Sequence, residues 1–343
     1  MDNKTRDRDI SLDILRITAT LAVIMLHTAK RAWYLLPLDS VEWGVSTIYD
    51  GLVRWAVPVF VMISGYLFLS RDNDIKKLYR CNILRIATAF LFWSAVYAWL
   101  WWMQGTDWKN AVKLFIKGNY HLWFLPMIIG LYMAVPILKK IVSDDKLAKY
   151  FLAVSFAVAF VIPQLIKLSG LLSQGLQATL KSSYGNFHFE IFLGYPFYFV
   201  LGYMIKTGKL SISRNMAFIM GVAGAVVTVV PTVALSLSEG KCYDAMFDYM
   251  TVNVLMEAVF VFVFFNRPVK TTSNIITTLS KASFGAYLIH EGILLFFEKK
   301  LDLSVMNFNA ALSIPALFIV AAVISFAISC VLNKVPHLKK YIV

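Results

Sequence analysis

Long unbroken apolar runs constrain this chain more than any other feature. Hydrophobic residues make up 59% of its 343 positions, charged residues only 15%, and the mean hydropathy is +0.67. A soluble domain carries roughly 25% charged residues to cover its surface, so the solvent for most of this chain is lipid. One crossing needs about 20 apolar residues. In lipid every backbone polar group must be satisfied internally, which leaves helical bundles or closed barrels. The runs lack the in/out alternation of a barrel strand. The expectation is therefore an all-α integral membrane protein, a polytopic bundle of about ten transmembrane helices. The predicted spans are 12–32, 54–70, 84–103, 121–138, 149–167, 191–206, 216–237, 249–266, 283–298 and 309–331. Short loops join them, and residues 1–343 read as a single domain with no separate soluble domain. Residues 33–53 and 168–190 are predicted to be the longest outward loops. The first run lacks a small-residue cleavage site after it and reads as a retained anchor.

The formal charge of +13 does not point to nucleic acid. Lys and Arg accumulate in cytoplasmic loops of membrane proteins. Outside or at the ends of the predicted spans, about 20 lie on the side that carries both termini and about 11 on the other. That bias favours an even number of spans with N-in/C-in topology. Cys81, Cys242 and Cys330 are far apart and suggest neither a disulfide framework nor a metal cluster.

Ionisable residues inside spans are costly and informative. The first span holds Asp13, Arg16, Thr20 and His27. The step from Arg16 to His27 is about three helical turns, so the two share a face roughly 16 Å apart along the axis. Arg16 then lies near the inner boundary and His27 in the outer half. The plainer alternative has Arg16 paired with Asp13 and His27 at the interface. Arg85 opens the third span, Glu257 and Asn253 lie in the eighth, and His290 with Glu291 lie mid-span in the ninth. Glu257 should face the bundle interior, as a clasp between helices or as a functional acid. His290 reads more readily as a packing residue than as a catalyst. Ser64 and Gly65 near the inner end of the second span let a backbone or a ligand approach closely. Trp33, Trp43, Trp99, Trp102, Trp108 and Trp123 fit an interfacial aromatic belt, with stacking on sugar rings as the sharper reading. No phosphate-binding glycine loop or zinc-ligand spacing is present, and no metal is expected.

Several motifs, in order along nearly the whole chain, resemble the acyltransferase 3 family of integral membrane acyltransferases. They are Ser11-Leu-Asp-Ile-Leu-Arg16 with the step to His27, and the segment from Arg54 through Pro58 to Ser64-Gly65-Tyr66. Further along come Tyr79-Arg80 to Arg85, His121-Leu-Trp123-Phe-Leu-Pro126 with Tyr132 and Pro136, Leu201-Gly-Tyr203, and Ser280 to His290. Length and compactness are most similar to the stand-alone surface-glycan O-acetyltransferases. The family's frequent Arg-x-x-Arg pair is here spaced as Arg80 and Arg85, or as Lys77 and Arg80. The additional outer-side hydrolase domain of many members is not within this sequence.

The resemblance implies a multi-pass protein of the bacterial plasma membrane, its partners being lipid, an acyl-CoA and a surface glycan or lipid-linked saccharide. Acetyl-CoA would be the acyl donor on the cytosolic side. Guanidinium forks suit phosphate, so the donor-binding residues would be Arg16, Ser64, Gly65, Arg80 and Arg85. His27 would act with Arg16 in catalysis, as the general base, since an imidazole titrates near neutrality. Glu257 or Glu291 would orient it. Arg54, His121 and Trp123 would contact the acceptor. The rival from another class is a transporter or flippase with a cavity lined by Glu257, His290 and Glu291, although no inverted repeat of interrupted helices is evident. A polysaccharide polymerase or the membrane module of an amino-acid racemase are further rivals.

Overall fold

The computed structural model describes residues 8–71, 74–189, 193–269, 273–307 and 309–343, with the side chain of Ala32 excepted. Regular structure among the described residues is all helical. In order along the chain it comprises α1 (Ile10–Trp33), α2 (Val41–Gly51), α3 (Ala56–Leu69), α4 (Ile75–Lys77), α5 (Leu84–Met103), α6 (Trp108–Lys117), α7 (Phe124–Val142) and α8 (Asp145–Ser155). There follow α9 (Ile162–Ser169), α10 (Gln174–Gly185), α11 (Tyr195–Lys206), α12 (Arg214–Glu239), α13 (Val252–Phe265), α14 (Asn274–Lys300), α15 (Ala310–Leu332) and α16 (Pro336–Tyr341). Many starts are set by a capping side chain that accepts an orphan amide. Ser40, Asp107, Asp144, Ser173, Ser213, Ser273 and Asn309 serve in this way. Single π-helical stretches, Leu78–Ile83 and Phe156–Val161, join α4 to α5 and α8 to α9.

Eight helical stretches are long and apolar enough to cross a membrane: Ile10–Arg31, Val41–Leu69, Ile75–Met103, Trp108–Val142, Asp145–Ser169, Arg214–Glu239, Ala245–Phe265 and Ala310–Leu332. On α12, Phe218, Ile219, Val222, Val226 and Val230 are exposed; on α15, Ile319, Val320 and Val323 are exposed. Apolar faces this large are stable only against lipid or another protein. The two predicted spans outside the eight are 191–206 and 283–298. The first corresponds to the 12-residue α11, with residues 191 and 192 lying outside the described residues. The second lies in α14, whose 27 residues include Ser280, Lys281, Ser283, His290 and Glu291. A helix packed against neighbours on several sides needs no continuous lipid-facing surface, so its hydropathy falls.

Two of the expected loops fold. Residues 33–53 contain α2, and residues 168–190 contain α10. Hydropathy does not register the cause, which is capping and aromatic packing. Trp33 and Trp43 stack at 5.8 Å, the Trp33 indole donates to Thr47 at 2.9 Å, and the Trp43 indole donates to the Trp33 carbonyl at 3.1 Å. Both rings are fully buried, so neither belongs to the interfacial belt; Trp99, Trp102 and Trp108 are exposed and fit it.

The centre of the bundle is α1, with α14 running parallel beside it. Asp13 meets Ser280 (2.6 Å), Arg16 meets Ser280 (3.4 Å), His27 meets His290 (2.6 Å) and Arg31 meets Glu291 (2.7 Å). Helix α15 returns antiparallel, its Ser329 hydroxyl donating to the Ala282 carbonyl at 2.7 Å. The start of α1 and the end of α15 thus lie at one end of the bundle. On the other flank α3 crosses α11 with almost no gap. A Cβ on Gly65 would lie 1.9 Å from the Phe199 carbonyl oxygen, and one on Gly202 would lie 2.2 Å from that of Met62. Small residues are what permit such backbone approach between membrane helices.

Candidate active site

His27 lies on α1 one turn before Lys30 and Arg31 and keeps part of its surface accessible, whereas His290 on α14 is completely buried. The two rings are nearly parallel, 10° apart with centroids at 4.9 Å, and Nδ1 of His27 lies 2.6 Å from Nε2 of His290. His290 Nδ1 is 2.5 Å from the Tyr287 carbonyl. A carbonyl oxygen only accepts, so the hydrogen of a neutral His290 is assigned to Nδ1. Its Nε2 is then an acceptor, and the proton between the two rings belongs to His27 Nδ1. The lone pair of His27 is consequently at Nε2, the nitrogen a general base needs free. The hydrogen-bond network thus sets the tautomer.

The surrounding groups fix the ring. Tyr120 packs edge-on against His27 at 5.3 Å and donates its hydroxyl to Glu291 at 2.7 Å. His121 stands edge-on to both His27 (6.2 Å) and His290 (5.3 Å), with Nε2 buried and unpartnered. Arg31 pairs with Glu291 at 2.7 Å and also with Glu298, tying α1 to α14 beside the imidazoles. Glu291 therefore anchors Arg31 and Tyr120, while the partner of His27 is His290. Glu257 is elsewhere: it accepts from Thr228 between α12 and α13, close to Asn253 and Gly224. It clasps two helices, and the side chain hydrogen-bonded to His27 is neither glutamate but His290. An adjacent His-Glu pair in the middle of α14 was the signal available in the sequence, but nothing there showed which of the two would meet α1.

His27, His290 and Glu291 also bring three potential metal-ligand atoms within 4.8 Å of one another. Both Glu291 oxygens accept hydrogen bonds, from Arg31 and Tyr120, and His27 Nδ1 is 2.6 Å from His290 Nε2. A cation held by those two ring nitrogens would replace the hydrogen bond between the histidines.

Toward the other end of α1, Asp13 is held by Arg8 and by Ser280. Arg16 forms no ion pair with it; it leans on Ser280 across the interface, near Tyr132 and Arg85. Tyr132 in turn lies close to Ser64. Arg16, Ser64, Tyr132 and Arg85 thus converge from α1, α3, α7 and α5. Arg85 donates to the Val343 carbonyl at 2.6 Å, lies over Phe284 at 5.5 Å, and has a buried Nε without a partner. Arg80 is exposed on the π-helical stretch and shares a cavity with Arg85. Gly65 is different: the space left by its missing side chain is filled by the backbone of α11.

A second cavity, of about 430 Å³, opens at the end of the bundle beyond His27, lined by Lys30, Arg54, Asp244, Phe247, Asp248 and Tyr249 among others. Arg54 is only 5% exposed; it pairs with Asp50, donates to the Phe247 carbonyl at 3.3 Å and lies over the Phe247 ring at 4.2 Å. Trp123 reaches this cavity through Tyr249, with which it stacks at 5.7 Å. At its edge, burial and the Asp244 carboxylate push the Tyr34 phenol up to about 12, so it remains a donor to Asp244 (3.2 Å). Arg54 therefore lines this cavity and Trp123 stands behind its Tyr249 wall, whereas His121 belongs to the histidine cluster. Lys30, Asp244 and Tyr249 were not anticipated, because their residues come together only through the fold.

Fold and site define a polytopic helical membrane protein that holds an oriented imidazole between two polar-lined openings. The family model described as Acyltransferase domain matches residues 9–334, and the chain belongs to that family, acyltransferase 3, of membrane acyltransferases. Among curated proteins, an amino-acid racemase of Enterococcus faecalis is 29% identical over 153 residues. That match covers 40% of this chain and only 20% of the racemase. No solved structure shows significant similarity.

Proposed function

We propose that this chain is an O-acyltransferase of the bacterial plasma membrane that transfers an acetyl group from cytosolic acetyl-CoA to a hydroxyl of an outer-side glycan or lipid-linked saccharide. In this reading α11 and α14 also cross the bilayer, giving ten spans with both termini in the cytosol. The parallel pairing of α14 with α1 supports that count: contacts from Asp13–Ser280 to Arg31–Glu291 accompany α1 along most of its length. The placement of the start of α1 and the end of α15 at one end of the bundle supports an even number.

One observation carries the proposal: His27 Nδ1 lies 2.6 Å from His290 Nε2 while His290 Nδ1 faces a carbonyl, an arrangement that assigns the shared proton to His27 Nδ1 and the lone pair to Nε2, on the α1 face that also presents Arg16. An acceptor hydroxyl that reaches His27 from the outer cavity, past Lys30, gives its proton to Nε2 as its oxygen bonds to the thioester carbonyl carbon. The C–S bond then breaks, and the departing thiolate takes the proton back from Nε2, so atoms and charge balance. A covalent acyl-histidine at Nε2 is the variant route. The aromatic and mixed-charge lining of the outer cavity suits a polyhydroxylated acceptor, since carboxylates accept from hydroxyls, Lys and Arg donate to them, and rings stack on sugar faces. Arg16 and Arg85 suit the anionic donor.

The test is the purified protein in proteoliposomes with acetyl-CoA and a candidate glycan, read as free thiol release and as acetyl mass on the glycan. His27→Ala is expected to insert and fold while losing both signals. Unchanged acetylation in that variant would remove His27 from the mechanism.

A further inference from the structure

At the inner end of the bundle, between the π-helical entrance to α5 and helix α16, lies a cavity of about 580 Å³. Arg80 and Arg85 line it from one side, Lys339 and Lys340 from the other, with Tyr341 beside them. No Asp or Glu is part of its lining, and among the described residues none of the four cations forms an ion pair with one; Arg85 donates to the main-chain oxygen of Val343. Arg85 retains a buried Nε with no partner. The rule that places basic residues on the cytoplasmic side explains surface lysines, but it does not explain four cations converging on one concavity. Like charges around a recess raise the local potential and concentrate anions there.

The lysines are presented by a docked segment. The Trp93 indole donates to the Ile342 carbonyl at 3.0 Å, Thr88 donates to the Tyr341 carbonyl at 3.0 Å, and Arg85 donates to the Val343 carbonyl at 2.6 Å. The cavity also adjoins the site described above, because Arg85 belongs both to its wall and to the group around Arg16 and Tyr132.

The geometry points to a phosphate-binding site in this cavity, formed by Arg80, Arg85, Lys339 and Lys340, so that the C-terminal helix is part of a ligand site. Guanidinium forks bind phosphate bidentately and ammonium groups add point charges. Two sources share that chemistry: the phosphorylated nucleotide end of a thioester carrier, with Tyr341 as a stacking face for its base, and the headgroup of an anionic phospholipid. The nucleotide source rests on the donor assignment under Proposed function; the phosphate site itself does not.

The experiment uses the full chain in phosphatidylcholine nanodiscs, wild type against the double variant Lys339→Glu/Lys340→Glu. In one arm coenzyme A and its 3′-dephospho form are titrated calorimetrically. In the other, the thermal midpoint is followed as phosphatidylglycerol replaces part of the phosphatidylcholine. At least a tenfold loss of coenzyme A affinity in the variant, with phosphatidylglycerol equal in effect on both proteins, supports the site with the nucleotide as its source. Loss of phosphatidylglycerol stabilisation with coenzyme A binding unchanged supports the site with lipid as its source. If neither reading moves in a variant with a wild-type midpoint, the proposal is overturned. Should the glutamates prevent folding, Lys339→Gln/Lys340→Gln is compared in the same way, with at least a threefold loss expected. A wild type that binds no coenzyme A defeats the donor assignment, and the phosphatidylglycerol arm then decides the cavity alone; no stabilisation there overturns the phosphate site too.

Discussion

Replacing His290 with alanine tests the orientation of His27 directly. In the native site the His27 imidazole is fixed by one hydrogen bond of 2.6 Å and by a nearly parallel ring contact, both supplied by His290. His290→Ala removes both. The ring keeps its edge contacts with Tyr120 and His121 but can place its proton on either nitrogen, so Nε2 is no longer held as the base. General base catalysis is typically worth 10² to 10⁴, and losing its alignment is expected to remove about 10² from kcat. At 1.36 kcal/mol per tenfold, that is about 2.7 kcal/mol of transition-state stabilisation. KM for donor and acceptor should change little, because His290 lines neither cavity. His290→Gln offers a side-chain carbonyl oxygen that accepts from Nδ1, and is expected to recover activity to within about tenfold of wild type. The assay is initial-rate thiol release in proteoliposomes, with the thermal midpoint measured alongside. A folded His290→Ala protein with wild-type kcat would refute the tautomer argument, and so would equal losses in the alanine and glutamine variants.

Arg16→Lys keeps the charge but loses the fork, so donor affinity should fall about tenfold with acceptor KM unchanged; unaltered coenzyme A binding would make Arg16 a purely structural contact to Ser280. Gly65→Ala places a Cβ 1.9 Å from the Phe199 carbonyl, forcing α3 and α11 apart, with an expected loss of about 1–3 kcal/mol or more. A lowered thermal midpoint in detergent is the readout, and a midpoint equal to wild type would show that the crossing yields without cost. Asp50→Asn leaves the buried Arg54 without its ion-pair partner, and breaking such a pair costs about 3–5 kcal/mol. A midpoint as high as that of wild type would contradict the burial of this pair.

The sequence by itself determined the membrane character of the protein and much of its helix placement, because lipid requires continuous apolar runs whose length is set by bilayer thickness. It also determined the shared face of Arg16 and His27, which follows from helical period alone and which the parallel contacts of α14 bear out at both positions. Local capping and aromatic packing shaped the segments that hydropathy left as loops, and only side-chain contacts revealed α2 and α10 there. The partner of His27 was decided by tertiary structure. Two adjacent polar residues on α14 are equivalent in composition and differ by about 100° around the helix, and that rotation sends His290 to His27 and Glu291 to Arg31 and Tyr120. Likewise Gly65 was open to a backbone or a ligand until the α3–α11 crossing filled it with backbone. Pattern along one helix fixes which side chains share its surface; which of them meet a given neighbour depends on the docking of helices hundreds of residues apart, and no local period encodes it.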